Sequence, residues 1–146
     1  MATLKQLKYE TIVSVMTTEL NNLANNTRAI SSALGGDATD ANLYGDFEIV
    51  ATWGVAPTVD TFVDLYLVRS ADGTNYEDGD SSLRPPAETY VGSFQVRAVT
   101  TAQRMIVRDV RLPPGLWKAV VWNNVGQTMA ASDNTLKVRP HNEQSA

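Results

Sequence analysis

The feature that most constrains this chain is a repeated alternation from Leu43 onward. Apolar runs of five to nine residues are separated by clusters of glycine, proline, aspartate and asparagine. Glycine permits positive φ and proline presets φ, so such clusters mark turns. They occur at Ala56-Pro57-Thr58, Asp72-Gly73, Arg84-Pro85-Pro86 and Asn123-Asn124. Short apolar runs separated by such turn clusters, without alternating strands and helices, predict a mainly β fold. The type expected is a jelly-roll-like antiparallel β-sandwich.

The alternation within each run indicates which side chains face the core. Phe47, Ile49, Ala51 and Trp53 share one face of a strand, and Phe62 to Val68 is apolar on both faces except at Asp64. Further strands are expected at Phe94 to Ala98, Met105 to Leu112, Trp117 to Trp122 and Thr135 to Val138. The sandwich domain is therefore expected over residues 37–146, with a short C-terminal tail after the last strand.

Residues 1–36 are expected to form an N-terminal arm and one helix. From about Thr18 to Leu34 a helix is favoured by a cap at Thr17 or Thr18 and by a Gly35-Gly36 exit. Its apolar stripe is Leu20, Leu23, Thr27, Ile30 and Leu34, at spacings of three or four. Asparagine at positions 21, 22, 25 and 26 weakens that helix, which then needs a surface to pack on. The segment from Leu7 to Met16 fits either an edge strand or an arm that orders on a partner.

Composition excludes several classes of function. The 146 residues include no cysteine, which excludes disulfides, thiolate metal sites and cysteine nucleophiles. No apolar run approaches the roughly 20 residues of a spanning helix, and the first six residues lack the apolar stretch of a secretory signal. We therefore expect a protein made in a cytosol, with no membrane partner.

Charge is unevenly distributed along the chain. Residues 1–80 carry 4 basic and 12 acidic side chains, and residues 81–146 carry 8 basic and 4 acidic ones. Either the two halves interleave within one sheet, or copies of the chain pack acidic patch against basic patch. No basic stripe stands out, which argues against a nucleic-acid partner.

Candidate catalytic residues are few. His141 is the only histidine and falls in the expected tail, away from a nucleophile and an orienting carboxylate. Asp46, Glu48, Asp60 and Asp64 could support glycoside hydrolysis only if two of them faced each other, and solvated strand faces are the simpler interpretation. The sequence predicts no enzyme and no catalytic, cofactor or metal residues.

The sequences of two loops each allow more than one interpretation. Residues 72–80 are rich in oxygen ligands, which Ca²⁺ prefers, but lack the spacing of an EF-hand, so a calcium loop and a plain turn are both possible. Tyr76 in that loop could belong to a sugar-stacking platform. Ser81 to Thr89 is either a functional loop or a connection between sheets.

Several stretches resemble a group of small virion proteins of tailed bacteriophages. They are Thr18 to Ala24, Val63 to Val68, Asp72 to Gly79, Pro85-Pro86, Tyr90 to Arg97, and Leu112 to Gly115 before Trp117-Lys118. Together they cover most of the chain, although they are turns and strands rather than a chemical motif.

The resemblance implies a jelly-roll capsid decoration (cement) protein. Such a protein is made in the bacterial cytoplasm, binds the outer surface of the assembled capsid, and bridges major capsid protein subunits as a dimer or trimer. We expect the partner contacts to come from the arm, the helix stripe and the exposed loops, at Leu4, Leu7, Tyr9, Ile12, Leu20, Leu23, Ile30, Tyr76 and Leu83. The alternative is a tail- or fibre-associated adaptor or a carbohydrate- or receptor-binding module.

Overall fold

The computed structural model describes residues 5–35 and 42–145. Within these ranges the chain forms strands and one short 3-10 helix, Ala87–Thr89. The strands are β1 (Lys5–Tyr9), β2 (Val13–Met16), β3 (Thr27–Ile30), β4 (Leu34–Gly35), β5 (Tyr44–Ala51), β6 (Phe62–Arg69), β7 (Tyr90–Gln95), β8 (Gln103–Arg111), β9 (Leu116–Asn123) and β10 (Thr135–Ser145). None of the described helices is long and apolar enough to cross a membrane.

The strands form two antiparallel sheets of five strands each, so the predicted β-sandwich is confirmed. The first sheet has the order β1-β10-β5-β8, and β2 also pairs with β10. The second has the order β3-β9-β6-β7, and β4 also pairs with β9. Residues 5–16 therefore line one side of β10, and residues 27–35 line one side of β9.

The core lies between the sheets and follows the alternation expected from the sequence. Burial alternates along the whole of β5, where Phe47, Ile49 and Ala51 are fully buried. In the facing sheet, Trp117 packs edge-on against Phe47 with ring centroids 6.0 Å apart. Trp53, predicted on the same face as Phe47, is also fully buried. Period-2 patterning therefore identified the inner face of the first sheet correctly.

The predicted helix from Thr18 to Leu34 is wrong. Residues 17–26 form consecutive turns, and β3 and β4 follow them. Asn22 and Asn26 both adopt φ of 59°, in the left-handed region. The amide oxygens of Asn21 and Asn25 accept hydrogen bonds from Asn134 and from the Gly126 N–H. Asparagine side chains thus bind distant partners and favour turns over a helical backbone.

The last strand is longer than the sequence suggested, because β10 continues past Val138 to Ser145. Proline normally ends a central strand, since it cannot donate a ladder hydrogen bond. Pro140 is accommodated opposite the interruption between β1 and β2, where its carbonyl accepts the Glu10 N–H at 2.8 Å. His141 consequently lies inside a sheet and not in a frayed tail.

The long connection from β6 to β7 covers the outer face of the second sheet. There Tyr66, Val68 and Val120 form a small buried cluster, with Ile30 and Trp122 packed against it. The guanidinium of Arg28 lies 5.0 Å from the Trp122 ring centre and donates to the carbonyls of Asp80 and Ser82. The Ser81 to Thr89 segment is thus anchored against a sheet that it shields from water.

Candidate functional site

One edge of the first sheet is formed by β1 and β2, which pair within the described ranges only with β10, and β8 forms the opposite edge. Four large apolar side chains of the β1–β2 edge are exposed: Leu7 by 57%, Tyr9 by 45%, Ile12 by 55% and Val13 by 38%. An edge strand offers backbone N–H and C=O groups to a further strand. Exposed apolar side chains beside those groups make this edge a candidate contact surface.

A groove of about 290 Å³ runs beside this edge on the outer face of the first sheet. Its walls combine apolar and charged side chains of both signs, contributed by Tyr9, Ile12, Asp46, Glu48, Ile106, Lys137 and Arg139. Arg139 stacks over the Tyr9 ring, with 4.8 Å between the guanidinium carbon and the ring centre. The groove therefore joins the exposed edge to a polar surface that crosses the sheet.

Charge on this outer face is interleaved by the strand order. β5, from the acidic part of the chain, lies between β10 and β8 from the basic part. Glu48 of β5 pairs with Arg104 of β8. Of the two interpretations of the charge asymmetry, this pairing supports interleaved strands within one sheet.

His141 lies at one end of this face and is almost completely buried, at 1% exposure. Its ring packs between Tyr9, at 5.1 Å, and Tyr44, at 5.7 Å between ring centres. Its Nε2 lies 3.3 Å from Asp46 Oδ1 and 3.4 Å from Asp109 Oδ1. These three residues are far apart in the chain, and only the pairing of β5, β8 and β10 brings them together.

Sequence reasoning missed this cluster. The sequence predicts Asp46 on a solvated strand face and His141 in a tail, and it assigns no role to Asp109. The available signal was the continued alternation of Val138, Arg139, Pro140 and His141, which the proline obscured.

The remaining predicted contact residues occupy different environments. Leu4 lies outside the described residues. Leu20 and Leu23 are buried in the core, at 0% and 8% exposure, so in this fold they are not available to a partner. Ile30 is half-buried on the outer face of the second sheet, Tyr76 is half-buried beneath Lys118, and Leu83 is 53% exposed.

The acidic loop is organised by its own side chains. Asp72 Oδ1 accepts the N–H groups of Thr74 and Asn75, and its Oδ2 accepts the Asn75 side-chain amide at 2.8 Å. Asp80 Oδ1 accepts the N–H groups of Ser82 and Leu83 in the same manner. These are side-chain-capped turns, which explains the acidic residues without a bound cation.

Asp72 gives a pH-dependent prediction. Hydrogen bonds from the Asn75 backbone and side chain, and from the Thr74 N–H, hold the pKa of Asp72 far below 3.8. Because the pKa of Asp72 in the folded protein lies below its ordinary value of 3.8, the ionised carboxylate stabilises the turn at every pH above 3.8. This stabilisation is lost only as the pH falls through the lower pKa of the folded protein. The NMR signal of the Asp72 carboxyl carbon should therefore stay constant as the pH falls through 3.8.

The matched variant is Asn75→Ala, which removes the side-chain donor and keeps the backbone one. It should move the midpoint of the Asp72 signal upward. A midpoint near 3.8 in the unmodified protein would contradict the turn described here.

Comparison with known proteins adds no relative: the chain matches no protein-family model, no curated protein and no solved structure at a significant level.

Proposed function

We propose that this chain is a bacteriophage structural protein that decorates the outer surface of the assembled capsid and stabilises it by bridging major capsid protein subunits. The observation that carries the proposal is the exposed apolar edge made by Leu7, Tyr9 and Ile12 on β1 and the turn to β2. A decoration protein needs a rigid domain with such an edge, and its role requires no chemistry.

The strand order supports a jelly-roll type of sandwich, the type that the sequence resemblance implies. β1 and β2 can be counted as one interrupted edge strand, and so can β3 and β4, which gives four strands in each sheet. β10 then lies beside the first interrupted strand and β9 beside the second. Jelly rolls have eight strands in two such sheets. The strand order therefore supports the fold class that the resemblance implies.

The edge suits a repetitive partner. Main-chain hydrogen bonds from an edge strand give affinity without demanding a particular partner sequence, and alternate side chains give specificity. Leu7 and Tyr9 are two residues apart in β1 and so project from the same face. On a symmetric lattice, bridging by several copies raises the overall affinity well above that of one contact.

The test is binding of the purified protein to capsids assembled without it, measured by co-sedimentation. The double substitution Leu7→Asp with Ile12→Asp places charge on the edge, and both side chains are exposed, so the sandwich should keep its stability. We expect binding to weaken roughly thirtyfold, because losing a central apolar contact costs about 2 kcal/mol.

The matched control is Val55→Asp, which changes an equally exposed residue, at 61%, in the loop that follows β5. Its binding should equal that of the unmodified protein. Wild-type binding by the double variant would rule out this edge as the contact. Density for the protein only at the tail or fibre in virion images would favour the adaptor or receptor-binding alternative.

Substitution is a better test than truncation of residues 1–16. Val15 and Met16 of β2 are 4% and 1% exposed and belong to the core. Removing them would destabilise the first sheet and reduce binding for a trivial reason. Substitutions at the exposed positions Leu7 and Ile12 change the contact surface without removing core side chains.

A further inference from the structure

The outer face of the first sheet holds one buried histidine with no hydrogen-bond partner. Both ring nitrogens of His141 are buried, and neither makes a hydrogen bond of acceptable geometry within the described residues. Buried polar groups normally have a partner, so such a group calls for an explanation. The ring is directed at two carboxylates, because its Nε2 lies 3.3 and 3.4 Å from Asp46 Oδ1 and Asp109 Oδ1.

The backbone is shaped to bring Asp109 to this position. The register between β5 and β8 shifts between Gly45 and Phe47, so Arg108 and Asp109 together lie opposite Asp46. Asp109 has φ of 54°, which is uncommon for a residue other than glycine, and its N–H donates to Asp46 Oδ1 at 2.9 Å. Bulges of this kind redirect a side chain, here toward His141.

The charges around His141 favour a cation. Two carboxylates converge on one imidazole, and a single N–H can bond well to only one of two oxygens that are nearly equidistant from it. A divalent cation would accept the imidazole lone pair and both carboxylates together. The side-chain nitrogen and oxygens of these three residues lie within 4.8 Å of one another, the one such group found within the described ranges.

The two distances from the imidazole to the carboxylates fit tetrahedral coordination. Ligand atoms about 2.1 Å from a tetrahedral Zn²⁺ lie about 3.4 Å from one another. The observed separations of Nε2 from the two oxygens are 3.3 and 3.4 Å. Imidazole with carboxylate is a ligand set that Zn²⁺ accepts, whereas Mg²⁺ and Ca²⁺ prefer oxygen alone.

We propose that Asp46, Asp109 and His141 bind one Zn²⁺ ion that links strands β5, β8 and β10. Asp109 would form the solvent-facing side of the site, because its side chain is 74% exposed while that of His141 is 2% exposed. The site goes beyond the proposed capsid role and differs from the sequence-based expectation of no metal site. Its occupation would fix the face against which Tyr9 and the edge strand pack.

The experiment is calorimetric titration of the full chain with ZnCl₂ at neutral pH, after chelator treatment and dialysis. We expect one saturable site per chain. Co²⁺ added instead should give the intense visible absorption typical of tetrahedral coordination. Asp109→Asn should weaken Zn²⁺ binding about a hundredfold, given that even outer partners of metal ligands contribute 10- to 100-fold.

The matched control is Asp133→Asn. Asp133 is also exposed and also has positive φ, at 66°, but its carboxylate accepts a hydrogen bond from the neighbouring Ser132 hydroxyl. Asparagine tolerates this backbone conformation, so both variants should fold. Zn²⁺ binding by Asp109→Asn equal to that of Asp133→Asn, or no saturable Zn²⁺ binding by the unmodified chain, would overturn the proposal.

Discussion

Phe47→Ala should lower the free energy of unfolding by about 3–5 kcal/mol, the range for a buried aromatic residue cut back to alanine. The Phe47 side chain is fully buried in β5, a strand paired on both sides. The substitution also removes the edge-on contact between Phe47 and Trp117 across the core, where the ring centres are 6.0 Å apart. Since a domain of this size is stabilised by only about 5–15 kcal/mol, this change would remove a large part of its stability. Urea unfolding followed by tryptophan fluorescence measures it.

Phe62→Ala provides the matched control, because it deletes the same atoms from β6 at a position 42% exposed. Phe62→Ala should lower the free energy of unfolding by less than about 1 kcal/mol, as expected for a partly exposed apolar residue. Equal losses for the two variants would show that Phe47 does not lie between the two sheets.

Asn123→Ala should lower the free energy of unfolding by about 3 kcal/mol, because it leaves buried polar groups without partners. The Asn123 side chain is fully buried and donates to the carbonyls of Leu23 and Gln127 at 2.9 and 2.8 Å. It thereby joins the turns of residues 17–26 to the loop that follows β9. Amide hydrogen exchange should accelerate at Met129, whose N–H bonds to the same Leu23 carbonyl.

The neighbouring Asn124→Ala serves as the control for this effect. Asn124 is half-buried, and its side-chain amide donates to Asp64 Oδ2 at 3.1 Å on the outer face of the second sheet. We expect a loss of about 1 kcal/mol and unchanged exchange at Met129. Exchange at Met129 that does not respond to Asn123→Ala would contradict the anchoring role of Asn123.

Local patterning was sufficient for most of the sandwich. The strands expected from Phe62 to Val68, Met105 to Leu112 and Trp117 to Trp122 agree with β6, β8 and β9 to within two residues at each end. Alternation succeeded there because one or both faces of those strands are buried, and a shift of one residue would exchange the core face for the solvent face.

Patterning failed where a distant partner decides the local conformation. The spacing of Leu20 and Leu23 fits a helix, but Asn21 and Asn25 accept hydrogen bonds from residues more than 100 positions away, and these bonds favour turns. Pro140 predicts the end of a strand, but the interruption between β1 and β2 lets β10 continue through it. The meeting of Asp46, Asp109 and His141 depends wholly on long-range register, which one sequence does not specify.

The central position of β10 has a consequence for biosynthesis. β5, β1 and β2 all hydrogen-bond to β10, yet residues 135–145 are translated long after them. The first sheet cannot close until those residues have left the ribosome, and pairing so remote in sequence is slow. A chain interrupted before residue 135 would present unpaired edges on β5 and β2, which invite aggregation or proteolysis. The first sheet is therefore completed only in chains that have been translated through β10.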